Sequence, residues 1–280
     1  MAGPVKTEGI VLRSLRYGEA DRILHLYTPR RGRVGAIAKG VRRARSRFGG
    51  RLEPFFRLQL DMHEGRGELL TVTGAQTVEA YPRLRTDAGA LDAAARACDA
   101  VGRLFETDEP HPNVYNLLCR RLTLLDEGAR GIGRSSTSYV EVNGSAAGSE
   151  GDDNESSAEN KSSHPRSRSG RADALAFRLK LLLAAGLAPQ LAACVACGER
   201  EHLVGFSGAA GGVVCGACED VSFPLDPHAY RFMTDALGLP LTEAPDASDQ
   251  SLGQVERAIA ETLEHHAHVR LMPAVGLAGR

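Results

Sequence analysis

Apolar and polar positions alternate with a period of two over most of residues 5–80. The reading is a strand over 5–14 and a second over 22–28, where Ile23, His25 and Tyr27 alternate with Leu24 and Leu26. A third, over 33–39, follows the turn Pro29-Arg30-Arg31-Gly32. Two further strands fit residues 53–63 and 68–78, joined by Glu64-Gly65-Arg66-Gly67. Five short strands in so little chain predict a small closed barrel, because closure removes the edges that short strands would expose. An SH3-like barrel is the other option.

After Leu84 the period becomes helical. Ala93, Ala97, Ala100, Val101 and Leu104 share one face, and Val114, Leu117, Leu118, Leu122 and Leu125 share another, predicting two packed helices. Residues 134–170 break the pattern: they hold eleven serines and almost no large apolar residue. Such a segment cannot bury enough surface to offset chain entropy, so a disordered insertion is expected. Helical spacing returns over 171–186, with Leu175, Leu179, Leu182 and Gly186 on one face, and again over 228–237 and 250–271. The expected division is a barrel domain over 1–81 and a helical domain over 82–280.

Composition changes this picture little, but the distribution of charge changes it a good deal. The 280 residues are 42% hydrophobic, enough for a core in each part, and the net charge is only -1. Residues 1–80 nevertheless carry fifteen Lys and Arg against eight Asp and Glu. The surplus is concentrated in Arg30, Arg31, Arg33, Lys39, Arg42, Arg43, Arg45, Arg47 and Arg51, a stretch without one acid. Arg grips phosphate oxygens with two parallel donors, so this run is the candidate nucleic-acid surface. Phe48 is its only aromatic, which favours binding led by the phosphate backbone and tolerant of sequence.

The second chemical signal is Cys194-Val-Ala-Cys197 and Cys215-Gly-Ala-Cys218, with seventeen residues between the pairs. Two such knuckles bring four thiolates to one point, the pattern of a four-cysteine Zn2+ site. A site closed by four thiolates leaves no position for substrate, so the zinc is structural. Cys98 and Cys119 stand alone within apolar helical patterns, and a reducing cytoplasm fits better than disulfides. No run of eighteen apolar residues and no leader-like start is present, so membrane insertion and secretion are not expected. His265, His266 and His268 lack a partner to complete a metal site and read as surface residues. Motifs for nucleotide triphosphates, zinc hydrolysis, nucleophilic serine and zinc deamination are missing, which favours a binding protein over an enzyme.

Several stretches resemble the bacterial RecO family of DNA repair and recombination proteins. They are Glu8-Gly-Ile-Val-Leu-Arg13, Tyr17-Gly-Glu-Ala-Asp-Arg22, Ala38-Lys-Gly-Val-Arg-Arg43 and Leu52-Glu-Pro-Phe55, and then the run from Phe177 to Pro189 that leads into Cys194. The resemblance implies an α+β chain: an N-terminal OB-fold β-barrel followed by a helical domain carrying an inserted four-cysteine zinc module. It also implies a cytoplasmic, nucleoid-associated recombination mediator that binds single- and double-stranded DNA and anneals complementary strands. With RecR and the single-strand binding protein (SSB), such a mediator helps to load RecA in the RecFOR pathway. In the family the acidic SSB tail docks on the helical domain, which makes Arg120, Arg121, Arg178 and Lys180 candidates for that contact. A zinc-ribbon RNA-binding or transcription-associated factor is the alternative, and it would show sequence preference without annealing.

Overall fold

The structure, a computed structural model, describes residues 3–65, 67–129, 170–218 and 222–276. All of the serine-rich stretch except Gly170 lies outside them.

Five strands close into a barrel: β1 (Pro4–Tyr17), β2 (Asp21–Thr28), β3 (Gly32–Ala38), β4 (Arg57–His63) and β5 (Leu70–Glu79). Their order around the barrel is β1-β2-β3-β5-β4, with the β3–β5 pair parallel and the others antiparallel. This is the OB-fold arrangement, and it removes the SH3-like option. β1 serves two neighbours: Pro4 to Ile10 pair with β4, and Ile10 to Tyr17 pair with β2. An irregularity between Val11 and Arg13 bends the strand so that it can close the ring.

Alternation sorts the strand residues. Val11, Leu24, Leu26, Val34, Ala36, Leu58, Leu60 and Met62 fill the barrel. Phe48 and Leu52 plug it from the β3–β4 connection, 2% and 1% exposed. Burying a side chain of this kind contributes about 1.5–3 kcal/mol. Phe48 is thus a core residue. One expectation is corrected here: β4 starts at Arg57 rather than 53 because the chain before it turns inward through Leu52 and Phe55.

The helices are α1 (Ala88–Leu104), α2 (Pro112–Gly128), α3 (Arg171–Ala184), α4 (Pro227–Gly238) and α5 (Asp249–His266). Side chains that cap N-termini set three of the starts. Asp87 accepts from the Ala90 N–H, Asp226 from those of His228 and Ala229, and Ser248 from that of Ser251. α3 stops at Ala184 because Gly186 turns left-handed, at φ 72°, while the Leu187 N–H returns to the Leu182 carbonyl. α5 stops five residues before the expected 271: His268 takes φ 55° and the Val269 N–H reaches the Leu263 carbonyl. Residues 270–274 then run back over the helices, held by Arg96 on the Pro273 carbonyl and Arg178 on the Met272 carbonyl.

The small sheet β7-β6-β8, formed by β6 (Leu203–Ser207), β7 (Gly212–Cys215) and β8 (Phe223–Pro224), was not foreseen. The main apolar core crosses residue 81: Ile10, Leu12 and Tyr27 from the outside of the barrel belong to one cluster with α1 to α5. Tyr27 meets Phe105 edge-on, with ring centroids 6.3 Å apart. Beside this seam Arg57 donates to Glu8, and the Tyr115 hydroxyl donates to the same carboxylate oxygen at 2.6 Å. Burial alone would raise the Glu8 pKa, but the hydrogen bonds from Arg57 and Tyr115 outweigh it and hold the carboxyl below its ordinary value. No helix among the described residues is long and apolar enough to cross a membrane.

Candidate metal centre and nucleic-acid interface

The four knuckle cysteines converge. The Sγ atoms of Cys194, Cys197, Cys215 and Cys218 all lie within 4.8 Å of one another, and Cys197 and Cys215 are 3.6 Å apart. A tetrahedron with metal–sulfur bonds of about 2.3 Å has edges of about 3.8 Å, so the cluster has the right size for one ion. The first knuckle is a tight turn, closed by the Gly198 N–H on the Cys194 carbonyl at 2.8 Å and made possible by Gly198 at φ 81°. β7 delivers Cys215, and the Cys218 N–H returns to its carbonyl at 3.0 Å. The two knuckles are tied together where the Val195 N–H donates to Val213 and the Val213 N–H donates to Gln190. A Cβ on Gly212 would lie 2.4 Å from the Gln190 carbonyl oxygen, so only glycine allows this approach.

The thiols share protons unevenly. Backbone hydrogen bonds from Cys215 and Cys197 bring the Cys194 thiol down to about 6, while side-chain hydrogen bonds with Cys197 and Cys215 push Cys218 up to about 12. Groups this close cannot all ionise unless a cation lies among them, and a bound ion removes the conflict. The apolar cluster around the knuckles is small: Cys194, Val214 and Cys215 are buried, with Val195, Leu203 and Cys218 partly so, while Phe206, Val213 and Phe223 of the small sheet turn into the main core. The residues present therefore fit a metal ion that holds structure.

The nine cations of the basic run fall into two groups. Arg31 is paired with Glu64. Arg33 lies against α1, where it donates to the Gly102 carbonyl at 3.1 Å and comes within 3.5 Å of Glu106. It also lies 3.3 Å from His25 Nδ1. Burial, then the charges of Arg33 and Arg13, lower the His25 pKa, which favours the neutral ring beside the guanidinium. The other group is exposed: Arg30 in the β2–β3 turn, and Lys39, Arg42, Arg43, Arg45, Arg47 and Arg51 in the connection from β3 to β4. Among the described residues none of these seven makes an ion pair.

That connection is wound into consecutive turns, in which Ser46 N–H reaches Arg43, Gly49 N–H reaches Ser46 and Arg51 N–H reaches Phe48. Phe48 and Leu52 anchor it below, and Arg47 lies over the Phe48 ring at 4.8 Å. Its start is fastened to the β1–β2 hairpin. Asp21 accepts from the Gly40 N–H at 2.8 Å, the Ala20 carbonyl from the Arg42 N–H at 2.9 Å, and the Gly18 carbonyl from Arg42 Nη1 at 3.4 Å. Sequence reasoning gave these hairpin residues no role. The available signal was the polar turn Gly18-Glu19-Ala20-Asp21 between two strands, with Asp able to bind backbone outside its own turn. The result is a set of guanidinium groups displayed outward on a backbone fixed from within, able to engage several phosphates at once.

The four helical-domain cations do not form one surface. Arg121 is 1% exposed and Arg178 is 5% exposed, with Arg178 held by the Met272 carbonyl and 3.7 Å from Glu256. The expectation that they lie on a helix surface is thereby corrected: Arg178 sits on α3, which packs against α1, α2, α4 and α5 and has no broad outer face, while Arg121 sits on the side of α2 that faces α1 and α3. Arg120 is exposed, and Lys180 is half-buried with its amine 3.4 Å from the Leu237 carbonyl.

Two family models match the chain: Recombination protein O N terminal over residues 1–81, and Recombination protein O C terminal over residues 165–272. The chain is 35% identical over 268 residues to the DNA repair protein RecO of Rubrobacter xylanophilus, a match covering 93% of this chain and 91% of that protein. It is 32% identical over 275 residues to the DNA repair protein RecO of Anaeromyxobacter dehalogenans, covering 95% and 93%. With the corresponding protein of Bifidobacterium adolescentis it shares 36% over 215 residues, covering 75% and 72%. A barrel of OB-fold order, a helical body, a four-cysteine cluster and these relatives agree, and the chain belongs to the RecO family of DNA repair proteins.

Proposed function

We propose that this chain is a recombination mediator: it holds single- and double-stranded DNA on the cationic connection of its barrel, anneals complementary strands, and helps to load RecA on SSB-coated DNA together with RecR. The observation that carries the reading is the exposed set Lys39, Arg42, Arg43, Arg45, Arg47 and Arg51, without an ion-pair partner among the described residues and on a backbone pinned to the barrel. Annealing is opposed chiefly by repulsion between two phosphate backbones. A surface of fixed cations neutralises part of that charge and releases counterions, so the step needs neither a catalytic residue nor nucleotide hydrolysis. The ion in the four-cysteine site is zinc, which closes the module formed by the small sheet and leaves chemistry to no group there. For the SSB tail, the burial of Arg121 and Arg178 favours Arg120 and Lys180 as the cations that its acidic groups meet. The setting is the cytoplasm, at the nucleoid.

The test is annealing of complementary oligonucleotides, naked and coated with SSB, without nucleotide. Faster pairing on both substrates is expected. Binding to one particular RNA or duplex sequence, with no gain in annealing, would instead establish the transcription-associated alternative.

A further inference from the structure

We propose that Tyr17 is a stacking seat for an unpaired nucleobase, placed so that the base lies on its ring while the neighbouring phosphate meets Arg42. The inference rests on the nucleic-acid reading above and extends it from the phosphate backbone to the base. Phosphate contacts alone do not distinguish a paired strand from an unpaired one. Stacking does, because only an unpaired base can turn its face to a side chain.

Tyr17 is the only exposed Tyr or Phe among the described residues, at 54% exposure. The other Tyr and Phe rings among them are buried or half-buried: Phe48 plugs the barrel, Tyr27 and Phe105 fill the seam, and Phe56 lies beneath Arg85 at 4.5 Å. An aromatic held in water at the end of a strand contributes nothing to the core.

Its surroundings suit a nucleotide. Tyr17 pairs with Asp21 at the turn end of the β1–β2 ladder. The next residue, Gly18, gives its carbonyl to Arg42 Nη1 at 3.4 Å, which brings a guanidinium of the basic connection beside the ring. Arg13 and Arg16 of the same strand are exposed. Since Leu24, Leu26, Val34 and Ala36 point into the barrel, their alternating neighbours Ile23 and Ile37 point outward, paired with each other and with Ile23 opposite Leu15. The ring thus stands at the end of a half-buried aliphatic strip on the outer face of strands two and three, with cations at its border. The outer face of these strands and the adjoining loop between the first two are where barrels of this topology take oligonucleotides.

The experiment uses the full chain and two labelled strands of equal length, oligo-thymidine and the same backbone carrying abasic sites, each titrated across a range of salt. The parent is expected to prefer the base-bearing strand. Tyr17→Ala should weaken that binding about 5- to 150-fold, the range of a single base–aromatic stack, with little change on the abasic strand and an unchanged salt slope. Tyr17→Phe should keep parental affinity, and Tyr17→Leu, which is apolar but not planar, should behave like Tyr17→Ala. Unchanged binding by Tyr17→Ala, an equal loss on both strands, or a loss in Tyr17→Phe as large as in Tyr17→Ala would each overturn the stacking role while leaving the nucleic-acid reading in place. Unchanged DNA binding would direct attention to a protein contact at the hairpin. A parent that binds neither strand overturns both.

Discussion

The carboxylate of Asp21 accepts the backbone N–H of Gly40 at 2.8 Å, joining the β1–β2 hairpin to the first residues of the basic connection. Two interpretations of this acid among cations make opposite predictions. If it chiefly fixes the loop, removing the acceptor weakens DNA binding; if it chiefly repels phosphate, removing its charge strengthens it. Asp21→Ala is expected to lower stability by about 1 kcal/mol, the scale of a lost, partly exposed hydrogen bond. It should also weaken oligonucleotide binding although no cation is touched. Asp21→Asn keeps an acceptor without the charge and should bind as well as the parent or better. Urea unfolding and anisotropy titrations on both variants check this pair of outcomes.

Replacing Arg42, Arg43, Arg45 and Arg47 by Ala should leave the fold intact, since all four are exposed and the plug residues Phe48 and Leu52 remain. Each lost phosphate contact lowers the slope of log K against log salt by about 0.7 for a single strand, so the slope should fall by up to about 2.8. Affinity should drop for strands of every sequence, and annealing should slow. Equal slopes for variant and parent would remove this loop from the binding surface.

Cys215→Ser takes one ligand from the cluster and is expected to bring the metal content well below one ion per chain and to lower the melting temperature. Chelation of the parent should reproduce the change. The small sheet is anchored in the main core through Phe206, Val213 and Phe223, but the knuckles themselves have few buried apolar neighbours to hold their shape without an ion. Full metal content with an unchanged melt in the serine variant would contradict the ligand assignment.

The Glu8 cluster predicts a pH effect. Because the folded-state pKa lies below the ordinary value of 4.5, Glu8 contributes stability that is complete above that value. The contribution is lost as pH falls through the lowered folded-state value. Glu8→Gln removes that dependence, so the difference in urea midpoint between parent and variant should be largest near neutral pH and shrink under acid. A difference that stays constant from pH 7 to well below 4 would show that the carboxylate is not what matters at this seam.

The strands were legible from alternation because each has one face turned into the barrel: Leu24, Leu26, Val34 and Ala36 sit where their spacing puts them. The cysteine cluster was legible from spacing, since two short knuckles constrain their own geometry. Other features follow from contacts distant in sequence. Phe48 stands amid arginines with no sign in its neighbours that it is core, and its burial depends on a barrel that they do not reveal. Arg121 and Arg178 break the rule that cations lie on the outer face of a helix, because α3, which carries Arg178, is surrounded by helices, and Arg121 lies on the side of α2 that α1 and α3 cover. The strands β6, β7 and β8 are two to five residues long, too short for a period to register.

The apolar seam at Ile10, Leu12 and Tyr27 bears on how the molecule can be dissected. A fragment ending near residue 81 would carry the whole barrel and its cations, yet it would expose to water three side chains that are at most 8% exposed in the intact chain. Such a fragment should self-associate or bind surfaces indiscriminately, and the helical remainder would be left with the matching open face. Swapping barrels between relatives is the sounder way to assign activities to each part, provided that residues 10, 12 and 27 travel with the helices they touch.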